Sequence, residues 1–124
     1  MQHASSYYAA SANEHAPWPQ LTDDIRCDVC VVGGGYTGLS TALFLVEAGF
    51  DVVLLEACRI GFGASGRNGG QIVNSYSRDI RVIESRYGQE TARMLGSMMF
   101  EGGDIIRSRI TQYQIDCDFR PGGI

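Results

Sequence analysis

The clearest pattern of apolar and polar positions lies between residues 28 and 56, DVCVVGGGYTGLSTALFLVEAGFDVVLLE. A valine-rich run at residues 29–32 is typical of a buried parallel strand, and residues 52–55 have the same character. Between these runs, apolar residues recur at the spacing of one helix face: Leu39, Ala42, Leu43 and Val46. The pattern predicts a β-α-β unit, with Gly49 capping the C-terminal end of its helix.

The turn between the first strand and the helix carries the pattern G-x-G-x-x-G at Gly33, Gly35 and Gly38. In dinucleotide-binding proteins the first glycine permits the tight turn, and the second lets a pyrophosphate approach the backbone. The third glycine lets the helix pack close to the strand. The N-terminus of the helix then offers free N–H groups and a partial positive charge, so the sequence predicts a phosphate-binding turn.

Glu56 follows the second strand, close to the spacing of about 20 residues at which such proteins place an acid that binds ribose. Its carboxylate can accept hydrogen bonds from ribose hydroxyls and would repel a 2′-phosphate, which argues against NADP. The alternative is a glycine-rich turn in an ordinary α/β domain, which leaves Glu56 and Gly38 without a role.

A second glycine-rich segment follows at residues 57–71, ACRIGFGASGRNGGQ. Small side chains suit a backbone that approaches a large planar or anionic ligand closely. Arg67 is suited to a phosphate or to a substrate carboxylate. A flexible surface loop is the alternative interpretation, but the position directly after Glu56 favours a ligand-binding role.

Helical spacing of apolar residues predicts two further helices, at residues 78–87 and 90–112, with Gly88 between them. Residues 115–119 indicate a short strand, and residues 120–123 a turn. The first 22 residues, rich in Ala, Ser and Tyr, are expected to hold no more than a short helical turn.

These elements predict an α/β fold with an incomplete sheet, since a doubly wound fold needs several parallel strands covered on both faces. We expect an N-terminal extension at residues 1–24, the N-terminal part of a nucleotide-binding domain at residues 25–117, and the start of another domain at residues 118–124. The chain would then be the N-terminal piece of a longer protein.

Composition and charge exclude some function classes. The formal net charge is −4, and all ten basic residues are scattered Arg residues, so no basic patch indicates nucleic acid binding. No segment approaches the roughly 18 apolar residues of a membrane span. Neither Lys nor Arg precedes Arg26, and no apolar segment typical of a signal peptide is present. We therefore expect a cytoplasmic protein.

Cys27 and Cys30 form a C-x-x-C pattern, which redox and zinc sites also use. Redox motifs of this kind rely on a helix N-terminus to lower the thiol pKa. These two residues instead lie at the start of a predicted strand, where positions three apart point to opposite faces. We expect neither a disulfide nor a metal between them.

Two motifs together, VVGGGYTGLSTALFLVEAGFDVVLLEA and GFGASGRNGGQ, resemble the FAD-dependent amine and amino-acid oxidases of the D-amino-acid-oxidase-like superfamily. SYYAASANEHAPWPQL, GASGRNGGQIVNSYSRDI and MMFEGGDIIRSRI are similar to the γ-glutamylputrescine oxidases within it. The resemblance runs from Ser6 to the end of the chain. It implies a Rossmann-like FAD-binding domain over residues 25–117, and the final FRPGGI resembles the beginning of a substrate domain.

The resemblance also implies which residues bind the cofactor. Gly33, Gly35 and Gly38 would hold the FAD pyrophosphate and Glu56 the adenosine ribose, while residues 64–70 would run beside the pyrophosphate and the flavin. The full implied set is Gly33, Gly35, Tyr36, Thr37, Gly38, Glu56, Ala57, Ala64, Ser65, Gly66, Arg67, Asn68, Gly69 and Gly70. No catalytic residue is identified, because the residues that face substrate are expected beyond Ile124.

The implied reaction is oxidative deamination, in which a C–H beside the amine gives a hydride to the flavin. Water then hydrolyses the imine to an aldehyde and ammonia, and O2 reoxidises the flavin to yield hydrogen peroxide. The expected partners are a small-molecule amine and O2.

Two other function classes stay open at the level of sequence. A NAD-dependent dehydrogenase shares the first motif and Glu56 but has no need of the second glycine-rich segment. A non-catalytic nucleotide-binding module is the other. Within the oxidase interpretation the residues do not fix the substrate, and sarcosine, glycine or a D-amino acid are alternatives.

Overall fold

A computed structural model describes residues 3–13 and 17–122, and the chain divides into two compact units between Gly69 and Gly70. The first unit contains helix α1 (Tyr7–Ser11), strand β1 (Val29–Val32), helix α2 (Tyr36–Glu47), strand β2 (Val52–Leu55) and a 3-10 turn (Ala64–Gly66). The second contains helices α3 (Ile80–Tyr87) and α4 (Gln89–Gln112). The predicted domain boundaries remain predictions.

The predicted β-α-β unit is confirmed. Strands β1 and β2 pair in parallel, with Val29 opposite Val52 and Val32 opposite Leu55. The Gly33 N–H donates to the Leu55 carbonyl over 2.7 Å, which continues the pairing into the glycine-rich turn. The turn after β1 is therefore held at the edge of the sheet where β2 also ends.

Helix α2 ends as the sequence predicts. Gly49 lies in the left-handed region (φ 89°), directly after the cap residue Ala48. The N–H groups of Gly49 and Phe50 turn back to the Val46 and Leu45 carbonyls, over 2.9 and 3.0 Å. This arrangement satisfies carbonyls of the last helical turn and directs the chain into β2.

The short helical turn expected near the N-terminus is α1. Its N-cap Ser6 accepts a hydrogen bond from the Ala9 N–H over 3.2 Å. Residues 1–2 and 14–16 of the predicted extension lie outside the described residues, as do residues 123–124 at the end of the predicted turn and final domain.

Helices α3 and α4 also follow the prediction, with Gly88 between them in a left-handed conformation (φ 86°). Asp79 caps α3, since its carboxylate accepts from the Arg81 N–H over 2.8 Å. Hydrogen bonds from the Arg81 side chain and then from its N–H lower the pKa of Asp79 to about 2.

The strand predicted at residues 115–119 is wrong. Helix α4 ends in a cap that includes Gln114 in the left-handed region (φ 51°) and a hydrogen bond from the Ile115 N–H to the Ile110 carbonyl over 3.0 Å. Asp118 is also left-handed (φ 51°), which interrupts any extended run. Residues 115–119 pair with no strand in the described part of the chain.

Packing is sparse in the residues that the structure describes. Ala92, on α4, is the one buried hydrophobic residue among them, with 4% of its surface exposed. Val32 at the end of β1 is 83% exposed, although the sequence pattern is that of a buried strand. None of the described helices has the length and apolar character needed to cross a membrane.

Two adjacent glycines in α4 provide a test of packing in the second unit. A Cβ on Gly102 would contact nothing within 4 Å, so Gly102→Ala should stabilise the protein by about 1 kcal/mol through helix propensity. A Cβ on Gly103 would lie 3.0 Å from Asn74 Oδ1 and 3.2 Å from Arg107 Nη1, so Gly103→Ala should gain less or lose stability. Urea unfolding of both variants checks this, and equal gains would contradict the packing described here.

Candidate functional site

The glycine-rich turn at residues 33–38, hereafter the glycine turn, requires glycine at several of its positions. Gly33 is left-handed (φ 104°), and Gly34 is buried. A Cβ on Gly38 would run into the Gly33 carbonyl oxygen. The third glycine of the motif is therefore required for the close approach between the start of α2 and the end of β1.

Glu56, directly after β2, points its carboxylate at the glycine turn. Its Oε2 accepts a hydrogen bond from the Gly34 N–H over 2.7 Å, and its Oε1 accepts from the Cys58 N–H over 2.9 Å. The Gly34 N–H, followed by those of Cys58 and Ala57, lowers the pKa of the Glu56 carboxyl below its ordinary value of 4.5. Since a carboxylate has about four acceptor positions, this group can accept further hydrogen bonds.

The part of the second glycine-rich segment that belongs to the first unit, residues 57–69, folds back onto the glycine turn. The Gly61 N–H donates to the Gly34 carbonyl over 2.9 Å, and Ser65 Oγ accepts from the Tyr36 N–H over 3.1 Å. Asn68 Nδ2 donates to Tyr36 Oη over 2.7 Å. Three hydrogen bonds thus join residues that lie well apart in sequence.

The start of α2 keeps donors for a ligand. The N–H groups of Gly35, Thr37 and Gly38 donate to no acceptor within residues 3–13 and 17–122. The N-cap Gly35 has no side chain to satisfy them, and no acidic residue lies in the first turn of the helix. The partial positive charge of this helix end is therefore not offset by a carboxylate of its own first turn.

Other predicted residues contribute no side-chain hydrogen bond to the glycine turn among the contacts that the structure describes. The exposed Arg67 directs its Nε to the carbonyl of Gly63 over 3.2 Å, within its own segment. Ala64 and Gly66 form the 3-10 turn together with Ser65. Gly69 closes the first unit, and Gly70, left-handed with φ 72°, opens the second.

Sequence reasoning missed two residues of this site. Gly34 occupies a variable position of the motif, yet a Cβ there would lie 3.3 Å from Glu56 Oε2 and closer still to Ile60. Gly61 is left-handed (φ 72°) and pairs with Gly34. The signal for Gly34 was present, since a fourth glycine in the turn, at a position that the motif leaves free, requires its own explanation.

Cys27 and Cys30 lie at the start of this unit as free thiols, the first partly buried and the second exposed. Cys58 is also a free thiol, and its backbone N–H is what contacts Glu56. The thiols therefore take no part in the contacts that form the candidate site.

The family model for FAD dependent oxidoreductase (DAO) matches residues 28–124, which includes every element from β1 onward. The chain belongs to this FAD-dependent oxidoreductase family. The family resemblance inferred from the two glycine-rich motifs is thereby confirmed.

Three curated relatives show how far the similarity extends. The chain is 77% identical over 99% of its length to γ-glutamylputrescine oxidoreductase of Escherichia coli (strain K12), of which it covers 29%. It is 45% identical over 98% of its length to the probable oxidoreductase OrdL of Haemophilus influenzae, of which it covers 28%. D-amino acid dehydrogenase 2 of Pseudomonas aeruginosa is 51% identical over 39% of the chain, which covers 12% of that protein.

The chain therefore spans less than a third of the length of these relatives. No solved structure matches it.

The residues present fit FAD. A pyrophosphate needs backbone donors that no side chain obstructs, and Gly35, Thr37 and Gly38 supply them at a helix N-terminus. A ribose needs an acceptor close to those donors, and the Glu56 carboxylate is held there by the Gly34 N–H. Donors suited to a pyrophosphate and an acceptor suited to a ribose are thus present on one edge of the sheet.

Proposed function

We propose that this chain provides the pyrophosphate- and ribose-binding part of an FAD-dependent amine oxidase. One observation carries the proposal: the Glu56 carboxylate, fixed by the Gly34 N–H, lies beside N–H groups of α2 that have no acceptor in the described structure. This combination presents a negative acceptor for hydroxyl groups next to a positive helix end for phosphates. Family membership supports FAD as the dinucleotide.

In this proposal the N–H groups of Gly35, Thr37 and Gly38 bind the pyrophosphate, and Glu56 binds the adenosine ribose. Residues 64–70 line the cofactor from the side of the second glycine-rich segment, with Arg67 free to turn toward a phosphate. FAD supplies the hydride acceptor for oxidation of the amine. The chain's own residues bind the cofactor and orient it.

We further propose γ-glutamylputrescine as the amine, because 77% identity extends over 99% of this chain to a γ-glutamylputrescine oxidoreductase. Oxidative deamination with O2 as the acceptor would give an aldehyde, ammonia and hydrogen peroxide. The cytoplasmic location expected from the sequence remains a prediction.

Family membership favours this function over a NAD-dependent dehydrogenase. The hydrogen bonds that join Gly61, Ser65 and Asn68 to the glycine turn add support, because the dehydrogenase interpretation gives the second segment no role. A nucleotide-binding module without catalysis is distinguished from an oxidase by turnover, which is considered in the Discussion.

Glu56→Gln should weaken FAD binding by roughly tenfold to a hundredfold at pH 7, since hydrogen bonds to a charged acceptor are stronger than those to a neutral one. The neutral amide also places a donor where an N–H of Gly34 or Cys58 already donates. Flavin fluorescence titration of the purified full-length protein measures the change. Glu84→Gln on α3, whose carboxylate is remote in sequence from both glycine-rich segments, is the matched control.

The stability of wild type relative to Glu56→Gln should depend on pH. The pKa of Glu56 is lowered in the folded protein, so its contribution to stability is complete above the ordinary value of 4.5 and is lost as pH falls through the folded value. The difference in unfolding midpoint between wild type and Glu56→Gln should therefore shrink as pH falls below 4.5. Unchanged FAD affinity at pH 7, together with a difference in unfolding midpoint that does not vary with pH, would show that Glu56 does not belong to the site.

A further inference from the structure

We propose that Tyr36 and Asn68 are positioning residues, whose mutual hydrogen bond holds the second glycine-rich segment on the glycine turn. We name the contact between Asn68 Nδ2 and Tyr36 Oη, 2.7 Å long, the latch. The latch orders residues 64–68 before a ligand arrives. Its consequence for FAD affinity rests on the proposed function, whereas its effect on the segment itself does not.

Tyr36 is held by the second segment at both of its ends. Its backbone N–H donates to Ser65 Oγ over 3.1 Å, and its phenol oxygen accepts from Asn68. The side chain is otherwise largely in solvent, with 64% of the residue exposed. An exposed tyrosine with so little apolar packing is anchored mainly by these polar contacts.

The amide of Asn68 has its orientation fixed within the segment. Nδ2 also donates to the Ser65 carbonyl over 2.8 Å and approaches the Ala64 carbonyl at 3.3 Å. Because carbonyls only accept, the NH2 group and not the amide oxygen must face this side. Its two hydrogens therefore match the two short contacts, one to Ser65 and one to the phenol oxygen of Tyr36.

Residues 57–71 need such a contact because of their composition. Glycine loses more conformational freedom on ordering than any other residue, and this segment is rich in it. The Gly61 N–H, paired with the Gly34 carbonyl, fixes the first half of the segment. The latch and the contact between Ser65 Oγ and the Tyr36 N–H fix the second half. Ser65 can lie this close because residue 35 is glycine, and a Cβ there would be only 2.9 Å from Ser65 Oγ.

The latch therefore reduces the conformational entropy that the segment loses when a ligand binds. A segment already held on the glycine turn needs less ordering when a pyrophosphate occupies the adjacent N–H groups. Breaking a single exposed hydrogen bond should weaken FAD binding by about twofold to tenfold. Amide hydrogen exchange at residues 64–68 should rise more clearly, because it reports opening of the segment directly.

The test uses the purified full-length protein, first without FAD. Tyr36→Phe removes only the phenol oxygen, Asn68→Ala removes the donor, and the double variant removes both. Each single variant should speed amide exchange at residues 64–68. Adding Tyr36→Phe to Asn68→Ala should change exchange little further, because Asn68→Ala has already removed the contact to Tyr36. Tyr87→Phe, an exposed tyrosine at the end of α3, is the control and should leave exchange at residues 64–68 unchanged.

Asn68→Asp tests the latch with reversed polarity. Its carboxylate can accept from the Tyr36 O–H, but it is repelled by the Ser65 and Ala64 carbonyls, so this variant is compared with its own Tyr36→Phe derivative. Adding Tyr36→Phe should speed exchange at residues 64–68 in Asn68→Asp, whereas it should change exchange little in Asn68→Ala. Additive effects of Tyr36→Phe and Asn68→Ala, or exchange that Tyr36→Phe leaves unchanged, would overturn the latch.

FAD titrations of the same variants separate this inference from the proposed function. If wild type binds FAD and Tyr36→Phe weakens binding severalfold together with faster exchange, both are supported. If wild type binds no FAD but exchange responds as described, the latch stands and the proposed function fails. If FAD binds with equal affinity to wild type and Tyr36→Phe and exchange does not change, the latch fails and the proposed function stands.

Discussion

Replacing Gly38 by Ala is expected to destabilise the protein by about 3 kcal/mol or more, and to abolish measurable FAD binding. The added Cβ would run into the Gly33 carbonyl oxygen, a backbone atom, and would lie 3.5 Å from Val31 Cγ1. Gly33 cannot move aside freely, because its N–H is bonded to the Leu55 carbonyl over 2.7 Å. Relief therefore requires α2 to separate from β1, which removes the phosphate-binding geometry.

Gly96→Ala is the control for this prediction. Gly96 lies within helix α4, and a Cβ there meets nothing within 4 Å. This substitution should leave FAD binding unchanged and should stabilise the protein by up to about 1 kcal/mol through helix propensity. Urea unfolding and flavin fluorescence of both variants provide the measurements, and equal behaviour of the two would show that the contact between α2 and β1 is not close.

The β-α-β unit was predictable because each of its determinants is local. Valine-rich runs set β1 and β2, helical spacing set α2, and Gly49 marked the end of that helix. The strand at residues 115–119 was mispredicted because a strand also needs a partner edge, which a local apolar pattern does not reveal. The positive φ of Asp118 is likewise invisible in composition, although Asp is among the residues that tolerate it.

The site was predictable only in its broad placement. Parallel strands end at one edge of a sheet, so Glu56 had to lie near the glycine turn. Which N–H group its carboxylate faces depends on the path of residues 57–61, and the answer, Gly34, lies at a position that the motif leaves variable. The contact between Tyr36 and Asn68 joins the first residue of α2 to an irregular segment 32 residues further along the chain and has no periodic signal, so sequence reasoning placed both residues in the site without relating them.

The Glu56 carboxylate and the start of α2 have opposite electrostatic roles, and different N–H groups serve each of them. The Gly34 N–H stabilises the charged form of Glu56, so it is not among the donors proposed for phosphate. The remaining donors, on Gly35, Thr37 and Gly38, lie at the N-terminal end of α2. A ligand that combines hydroxyl donors with an adjacent anion matches this separation, whereas a simple phosphate would leave Glu56 without a role.

Residues 1–124 expressed alone should bind FAD weakly and give no peroxide above background with γ-glutamylputrescine. A substrate pocket encloses most of the surface of its ligand. Among the described residues only Ala92 is a buried hydrophobic residue, while Val32, Met98 and Phe100 are all more than half exposed. The E. coli relative, of which this chain covers 29%, has the additional length from which such a pocket can be formed.

The experiment assays residues 1–124 and the E. coli relative in parallel with FAD, γ-glutamylputrescine and O2, and measures hydrogen peroxide. Flavin fluorescence on the same samples shows whether residues 1–124 retain the nucleotide site, so that absence of turnover is not confused with absence of folding. Retained FAD binding without peroxide would assign cofactor binding to these residues and the substrate pocket to residues outside them. Turnover comparable to that of the E. coli relative would contradict this division, because the exposed apolar surfaces described here would then be sufficient to enclose both flavin and amine.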